Sequence, residues 1–210
     1  VLMKSSHLDV AKGGRLNMFQ FFISQAISIC KSNGIITMIT QNSIIGEETA
    51  TNCRKFIFSN CKILEFSSFP ERDNISRRVF EGVKMSVCVS ILQKKQADDF
   101  SFRLKIWKER QMQNYSQIML AKRDIMQIYP TNYQVPLVTQ DTFDILKKIR
   151  NHKPCYFVNS NAGEIDMTKY QNLFKAKGQY RVIHGAQVQR YYISNTPSQG
   201  KINYLDAQDI

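Results

Sequence analysis

Residues 17–42 read NMFQFFISQAISICKSNGIITMITQN, and this stretch decides the fold class. Phe19, Phe22, Ile23, Ala26, Ile29 and Cys30 recur at i, i+3, i+4 spacing, which predicts a helix with one apolar face. Asn17 stands where an N-cap belongs, and Asn33-Gly34 is a good stop. The run Ile35-Ile36-Thr37-Met38-Ile39-Thr40 is short, unbroken and rich in β-branched residues, as expected of a strand covered on both faces. A second helix is expected from Glu47 to Phe58, with Ala50, Cys53, Phe56 and Ile57 on one side, and a second strand from Ile63 to Phe69, closed by Pro70. An α-β-α-β order of this kind builds a parallel, helix-covered sheet through right-handed crossovers.

Outward from this core the pattern changes. Residues 1–14 are polar and read as a loop. Pro70 to Arg78 is a basic loop holding Arg72, Arg77 and Arg78. Met85–Leu92 and Phe100–Trp107 read as strands, and with no room for a helix between them they are expected to form an antiparallel pair joined by Gln96–Asp99. A helix is expected near Tyr115–Met126, a linker from Tyr129-Pro130 to Val135-Pro136, and a short helix capped by Asp141 with Phe143, Leu146 and Ile149 on one face. Tyrosine-rich segments with turn residues follow. The expected divisions are 1–108, a connecting region 109–134, and 135–210.

Composition narrows the class. With 210 residues, 43% hydrophobic and 22% charged, the chain can bury a core without disulfide or metal staples. Its net charge of +12 points to a polyanionic partner, nucleic acid before membrane. Cys30, Cys88 and Cys155 sit in apolar stretches, Cys53 and Cys61 make no CxxC pair, and His7, His152 and His184 have no metal-ligand spacing, so reduced thiols and no metal are expected. No apolar run reaches the ~20 residues of a membrane span, and the first residues lack a signal-peptide core, so a cytoplasmic protein is expected. GxGxxG, GxxxxGK[ST], HExxH and GxSxG are all missing, and no complete small-molecule active site is visible.

Several motifs in order carry a resemblance. Gly14-Arg15-Leu16-Asn17-Met18-Phe19-Gln20-Phe21-Phe22-Ile23, then Ser32–Ser43 ending in Thr40-Gln41-Asn42-Ser43, resemble the adenine-specific amino-group DNA methyltransferases of type IIG-like restriction–modification enzymes. Lys62–Phe66, Val79-Phe80-Glu81-Gly82-Val83 and Ser86–Lys95 continue the likeness. Gly163-Glu164-Ile165 and Val182–Tyr191 are similar to the opening of a TaqI-like target-recognition domain. Met18 and Gln41 are mild departures. The family's cofactor loop and Asn-Pro-Pro-Tyr tetrapeptide precede the region of likeness and do not occur here. The resemblance therefore implies an α/β chain: a partial Rossmann-like methyltransferase sheet with an antiparallel strand pair, followed by a small α+β DNA-recognition portion. It implies S-adenosylmethionine as the intact enzyme's cofactor, poorly held by this piece, and double-stranded DNA and the upstream half of the same enzyme as partners, with no membrane.

The resemblance also assigns roles, each with a plainer alternative. Phe80 would stack the extruded target base, or be an ordinary core aromatic at a strand start. Asn17 would lie near the cofactor, or simply cap its helix. Arg72, Arg77 and Arg78 would touch phosphates, or form a solvated loop. Arg181, His184, Gln187, Gln189 and Arg190 would read base edges, or decorate a surface loop. Lys94-Lys95 reads as a solvated strand end. The rival functions are a non-catalytic nucleic-acid-binding module, an RNA methyltransferase fragment, and an interaction domain whose charge keeps it soluble.

Overall fold

The structure, a computed structural model, describes residues 17–152, 171–183, 187–188, 192–194 and 203–206. The chain divides into two compact units, Val1–Lys153 and Pro154–Ile210.

The first unit begins with α1 (Met18–Ile29). Asn17 caps it from extended backbone, its side chain accepting from the Phe19 N–H. β1 (Ile35–Gln41), α2 (Ser43–Gly46), a 3-10 turn (Glu48–Ala50), α3 (Thr51–Asn60) and β2 (Lys62–Phe69) follow. Then come β3 (Val87–Gln93), β4 (Ser101–Trp107), β5 (Tyr115–Ala121), α4 (Lys122–Ile128) and α5 (Gln140–Asn151). The α-β-α-β opening thus forms where the periodicity predicts it. Asn33 adopts the left-handed backbone at φ 61°, and a Cβ on Gly34 would meet Cys30 Sγ at 2.6 Å, so this tight turn requires its Asn-Gly pair.

The five strands form one mixed sheet in the order β1-β3-β2-β4-β5. β3 runs antiparallel to both β1 and β2, and β4 runs parallel to β2. This corrects the expected β3–β4 pair: the two strands flank β2 on opposite sides and are not hydrogen-bonded to each other. β3 sits between two strands that run the same way, and in that slot both of its edges are paired.

Further expectations change. Tyr115–Ala121 is a strand rather than the start of a helix, because pairing with β4 from Trp107↔Tyr115 to Ser101↔Ala121 overrides its helix-compatible residues; the helix begins at Lys122. β1 is not covered on both faces: Ile36 and Thr40 are buried, while Ile35 and Ile39 on the other face are exposed. On α1 the buried side chains are Gln20, Ile23, Ser24 and Ile27, while Phe22 (59%) and Ile29 (73%) of the expected apolar face remain exposed. The first unit also continues past residues 108 and 135, since the Val135 N–H donates to the Ile45 carbonyl and buried Phe143 belongs to the same core as the sheet.

That core lies between the sheet and its helices. Phe58 of α3 packs on Phe100, Phe102 and Tyr133, and Phe66 meets Phe102 edge-on. Such aromatic pairs contribute about 0.5–1.5 kcal/mol each beyond the area they bury. Lys94 reaches from the end of β3 to the Ser28 and Cys30 carbonyls, at 3.0 and 2.6 Å. It therefore caps the carboxyl end of α1, where a cation opposes the helix dipole, instead of standing solvated. Burial drives the Cys53 and Cys61 thiols up to about 12 and the Cys88 thiol up as well, so these three are inert packing groups.

In the second unit β6 (Tyr180–Val182) pairs antiparallel with β7 (Asn203–Leu205). Lys175 Nζ meets Asp206 Oδ2 at 2.7 Å, and Asp206 Oδ1 accepts from the Gln179 N–H, which ties the strand ends together.

Candidate functional site

β1, β2 and β4 run in one direction, so their carboxyl ends share one edge of the sheet. At that edge lies an open cleft of about 480 Å³. Gln41, Asn42 and Ser43, which end β1 and begin α2, line it together with Glu47, Arg72, Lys84 and Ser86. The carboxyl edge is where open α/β sheets bind ligands, because the connections there diverge and leave a crevice.

The polar floor of the cleft is set by local bonds. Asn17 Nδ2 donates to Gln41 Oε1 at 2.8 Å, and Ser68 Oγ donates to Asn42 Oδ1 at 2.9 Å. The Asn42 N–H donates to the Ser86 carbonyl, and Ser86 Oγ donates to the Pro70 carbonyl. Ser43 Oγ is buried and has no hydrogen-bond partner among the described residues.

A residue that the sequence does not flag shapes this floor. Arg54, 1% exposed on α3, donates through Nε to the Asn132 carbonyl at 2.9 Å and through Nη1 to the Glu47 carbonyl at 2.7 Å. Nη1 also reaches the Ser43 and Ile44 carbonyls, and Nη2 reaches Thr51 Oγ1. Burial pulls the guanidinium down to about 10, opposed by Cys53 and Glu47, so it stays charged at neutral pH. The carbonyls of α2 are thereby held around one planar fork, which fixes the backbone that lines the cleft.

Loop 70–86 forms the rim. Arg72 lines the cleft, and Lys84 Nζ pairs with Asp73 at 2.9 Å. Arg77 is exposed, and its carbonyl accepts from the Arg110 N–H. Arg78 is half-buried and donates to the Glu81 carbonyl, while Glu81 pairs with Arg110. These bonds tie loop 70–86 to loop 108–114. Val79 packs on Phe69, Val87 and Trp107, while its neighbour Phe80 stays 47% exposed, outside the core and outside the cleft lining. The structure thus gathers Arg72, Arg77, Arg78 and Phe80 on one loop and Asn17 beneath the cleft.

The second group of sequence candidates is placed differently. Gln187 is fully buried and Arg181 is half-buried; both donate to the Ser194 carbonyl, at 3.5 and 3.0 Å. Their side chains brace the second unit from within. His184, Gln189 and Arg190 lie outside the described residues. Among the described residues no group of three His, Cys, Asp or Glu side chains could hold a metal, and no helix is long and apolar enough to cross a membrane.

Residues 3–75 match the Eco57I restriction-modification methylase family. The match runs through α1, β1 and β2 into the basic loop. No curated protein matches the chain. Among solved structures, the type IIG restriction endonuclease BpuSI aligns at 7% identity and a TM-score of 0.44, over 59% of this chain and 16% of that one. A nuclease-deletion mutant of the Type ISP restriction-modification enzyme LlaGI, in complex with a DNA substrate mimic, aligns at 17% identity and 0.37, over 71% and 13%. A protein described as the modification subunit of a type I restriction enzyme from Vibrio vulnificus YJ016 aligns at 10% and 0.35, over 42% and 19%. The chain spans less than a fifth of the length of each of these.

Proposed function

We propose that this chain is the carboxyl-terminal half of the catalytic sheet, with the start of the target-recognition domain, of an adenine-specific DNA methyltransferase in a restriction–modification enzyme. The observation that carries the reading is the cleft at the carboxyl edge, with the cations Arg72 and Lys84 at its rim and a half-exposed aromatic, Phe80, on the same loop. A base must leave the duplex for its amino group to be reached, and it is then held by stacking and by contacts to the flanking phosphates. The family match over residues 3–75 supports the class of enzyme.

In this reading the cleft is not the main site of the sulfonium cofactor: Arg72 and the Asp73-paired Lys84 border it against one lining carboxylate, Glu47, and both polar ends of Asn17 are bonded within the protein. In this reading S-adenosylmethionine binds on the upstream half, and this piece alone transfers no methyl group. The outer edge of β1 supports such a partner: among the described strands β1 pairs only with β3, and Met18, Phe22, Ile29, Ile35 and Ile39 stand exposed beside that edge. An unpaired edge flanked by apolar side chains is stabilised by a further strand and its covering layer.

The reading is tested by fluorescence anisotropy of a labelled DNA duplex with the 210-residue chain between 50 and 200 mM salt. Affinity is expected to fall steeply with salt, by an order of magnitude or more if several phosphates are contacted. Equal or tighter binding of RNA would favour an RNA substrate instead, and no binding to either would overturn the reading.

A further inference from the structure

A second aromatic surface stands at the same sheet edge, beyond the residues matched by the methylase family. Tyr115 begins β5 with its ring centroid 4.5 Å from that of Trp107, which closes β4. Trp107 in turn stacks on Phe69 at 5.9 Å and 9°. Lys105 Nζ lies 5.7 Å from the Tyr115 centroid and 5.9 Å from that of Trp107, and it is steadied by Glu65 Oε2 at 3.1 Å. Trp107 is nine-tenths buried, while Tyr115 leaves 49% of its surface open. The adjoining loop carries Lys108 and Arg110, the latter bonded to the Arg77 carbonyl.

We propose that this corner binds a DNA base that has left its stack, with the Tyr115 ring as the platform. The proposal rests on DNA being the partner, and it adds a stacking site separate from Phe80. Three physical features favour a base over a protein side chain as occupant. A stacking platform is sequence-tolerant, since every base presents a π face. The ring packs on Trp107, which itself stacks on Phe69, so little side-chain freedom is lost when a base settles on it. Lys108 beside it, with Lys105 and Arg110 that are shared with Glu65 and Glu81, supplies positive charge for the phosphates that accompany any base. Packing of the sheet alone does not call for an open ring here.

Trp107 is the only tryptophan of the chain, so its emission reports on this corner. The test uses the 210-residue chain, a single-stranded oligodeoxynucleotide carrying 5-iodouracil, and a duplex in which the same base is mismatched. Binding is followed in parallel by anisotropy and by Trp107 emission. Saturable quenching is expected to track binding, and irradiation is expected to cross-link the iodouracil to the peptide containing Tyr115. Tyr115→Ala is expected to weaken single-strand binding about tenfold and to remove the cross-link, while Tyr115→Phe keeps both. A cross-link from the mismatched duplex as well extends the site to extrahelical bases. Binding that leaves Trp107 emission unchanged and is indifferent to Tyr115→Ala overturns the corner site while the DNA reading stands. No binding of either probe defeats both.

Discussion

Arg54 and the arginines of loop 70–86 put the same side chain to opposite uses. Arg54 lies in the interior with its guanidinium bonded to carbonyls of Ser43, Ile44, Glu47 and Asn132 and to a threonine hydroxyl. Arg72 and Arg77 stand in solvent, and among the described residues their one ion-pair contact is that of Arg72 with Asp73 at 3.9 Å. A buried guanidinium surrounded by neutral acceptors organises backbone, whereas an exposed one without firm partners is available to a ligand. The carboxyl edge uses both kinds: Arg54 shapes the floor of the cleft, and Arg72 with Lys84 supplies charge at its rim.

The contrast breaks most visibly at Arg54. Arg54→Met removes the donor that the Ile44 and Asn132 carbonyls share, while the Ser43 and Glu47 carbonyls keep the N–H groups of Glu47 and Ala50, so a stability loss of about 2 kcal/mol or more is expected in urea unfolding. Arg54→Lys keeps the charge but not the fork, and is expected to fall between that variant and the wild type. A loss below about 1 kcal/mol for Arg54→Met would show that the cradle is not what holds α2 in place.

A smaller effect, in a different observable, is expected at the rim. The double substitution Arg72→Gln, Lys84→Gln removes exposed charge, so stability should stay within about 0.5 kcal/mol of the wild type. Binding to duplex DNA should weaken, and the slope of log affinity against log salt should fall by about 1–2. An unchanged slope would place phosphate contacts elsewhere.

Glu65 sharpens the comparison as an intermediate case, a half-buried carboxylate between Arg103 and Lys105, each at 3.1 Å. Burial pushes its carboxyl up, but the Ser67 hydroxyl, Lys105 and Arg103 together outweigh that and hold it below the ordinary value. A depressed folded-state value stabilises the fold above the unfolded carboxylate value of about 4.3, and that stability is lost as the pH falls through the folded value. Glu65→Gln is therefore expected to cost at most about 1 kcal/mol at pH 7, with the difference from wild type vanishing in acid. A difference independent of pH would mean that packing, not charge, sets the effect.

Much of this was legible from residue patterns, and the failures share a cause. The helical period after Asn17 and the β-branched run at Ile35 located α1 and β1, and the alternation of Ser101–Trp107 located β4. β5 carries no strand signature of its own, because Gln117, Met119 and Leu120 suit a helix in isolation, and only the neighbouring edge of β4 makes them a strand. The partners of β3 and β4 are not legible locally, because nearness along the chain is a weak guide to which free edge a strand takes. At the site, the arginines of loop 70–86 were readable because no apolar pattern surrounds them. Arg54 was invisible because a lone arginine in a helix looks solvent-facing until the groups opposite it are known. Gln187 shows the reverse error, a residue suited to reading bases that is buried against its own backbone.

By itself, the sequence determined the kind of each local element where periodicity was strong, the positive balance of charge, and a loop of arginines that no core could absorb. These depend on neighbours within a few residues, where side-chain spacing and backbone preference act directly. The tertiary structure alone decided that β3 lies between β1 and β2, that loops 70–86 and 108–114 meet, that Tyr115 rests on Trp107, and that Arg54 turns inward. Each of those outcomes is a competition among hydrogen-bonding and packing partners far apart in the chain, and only the assembled sheet settles which partner wins.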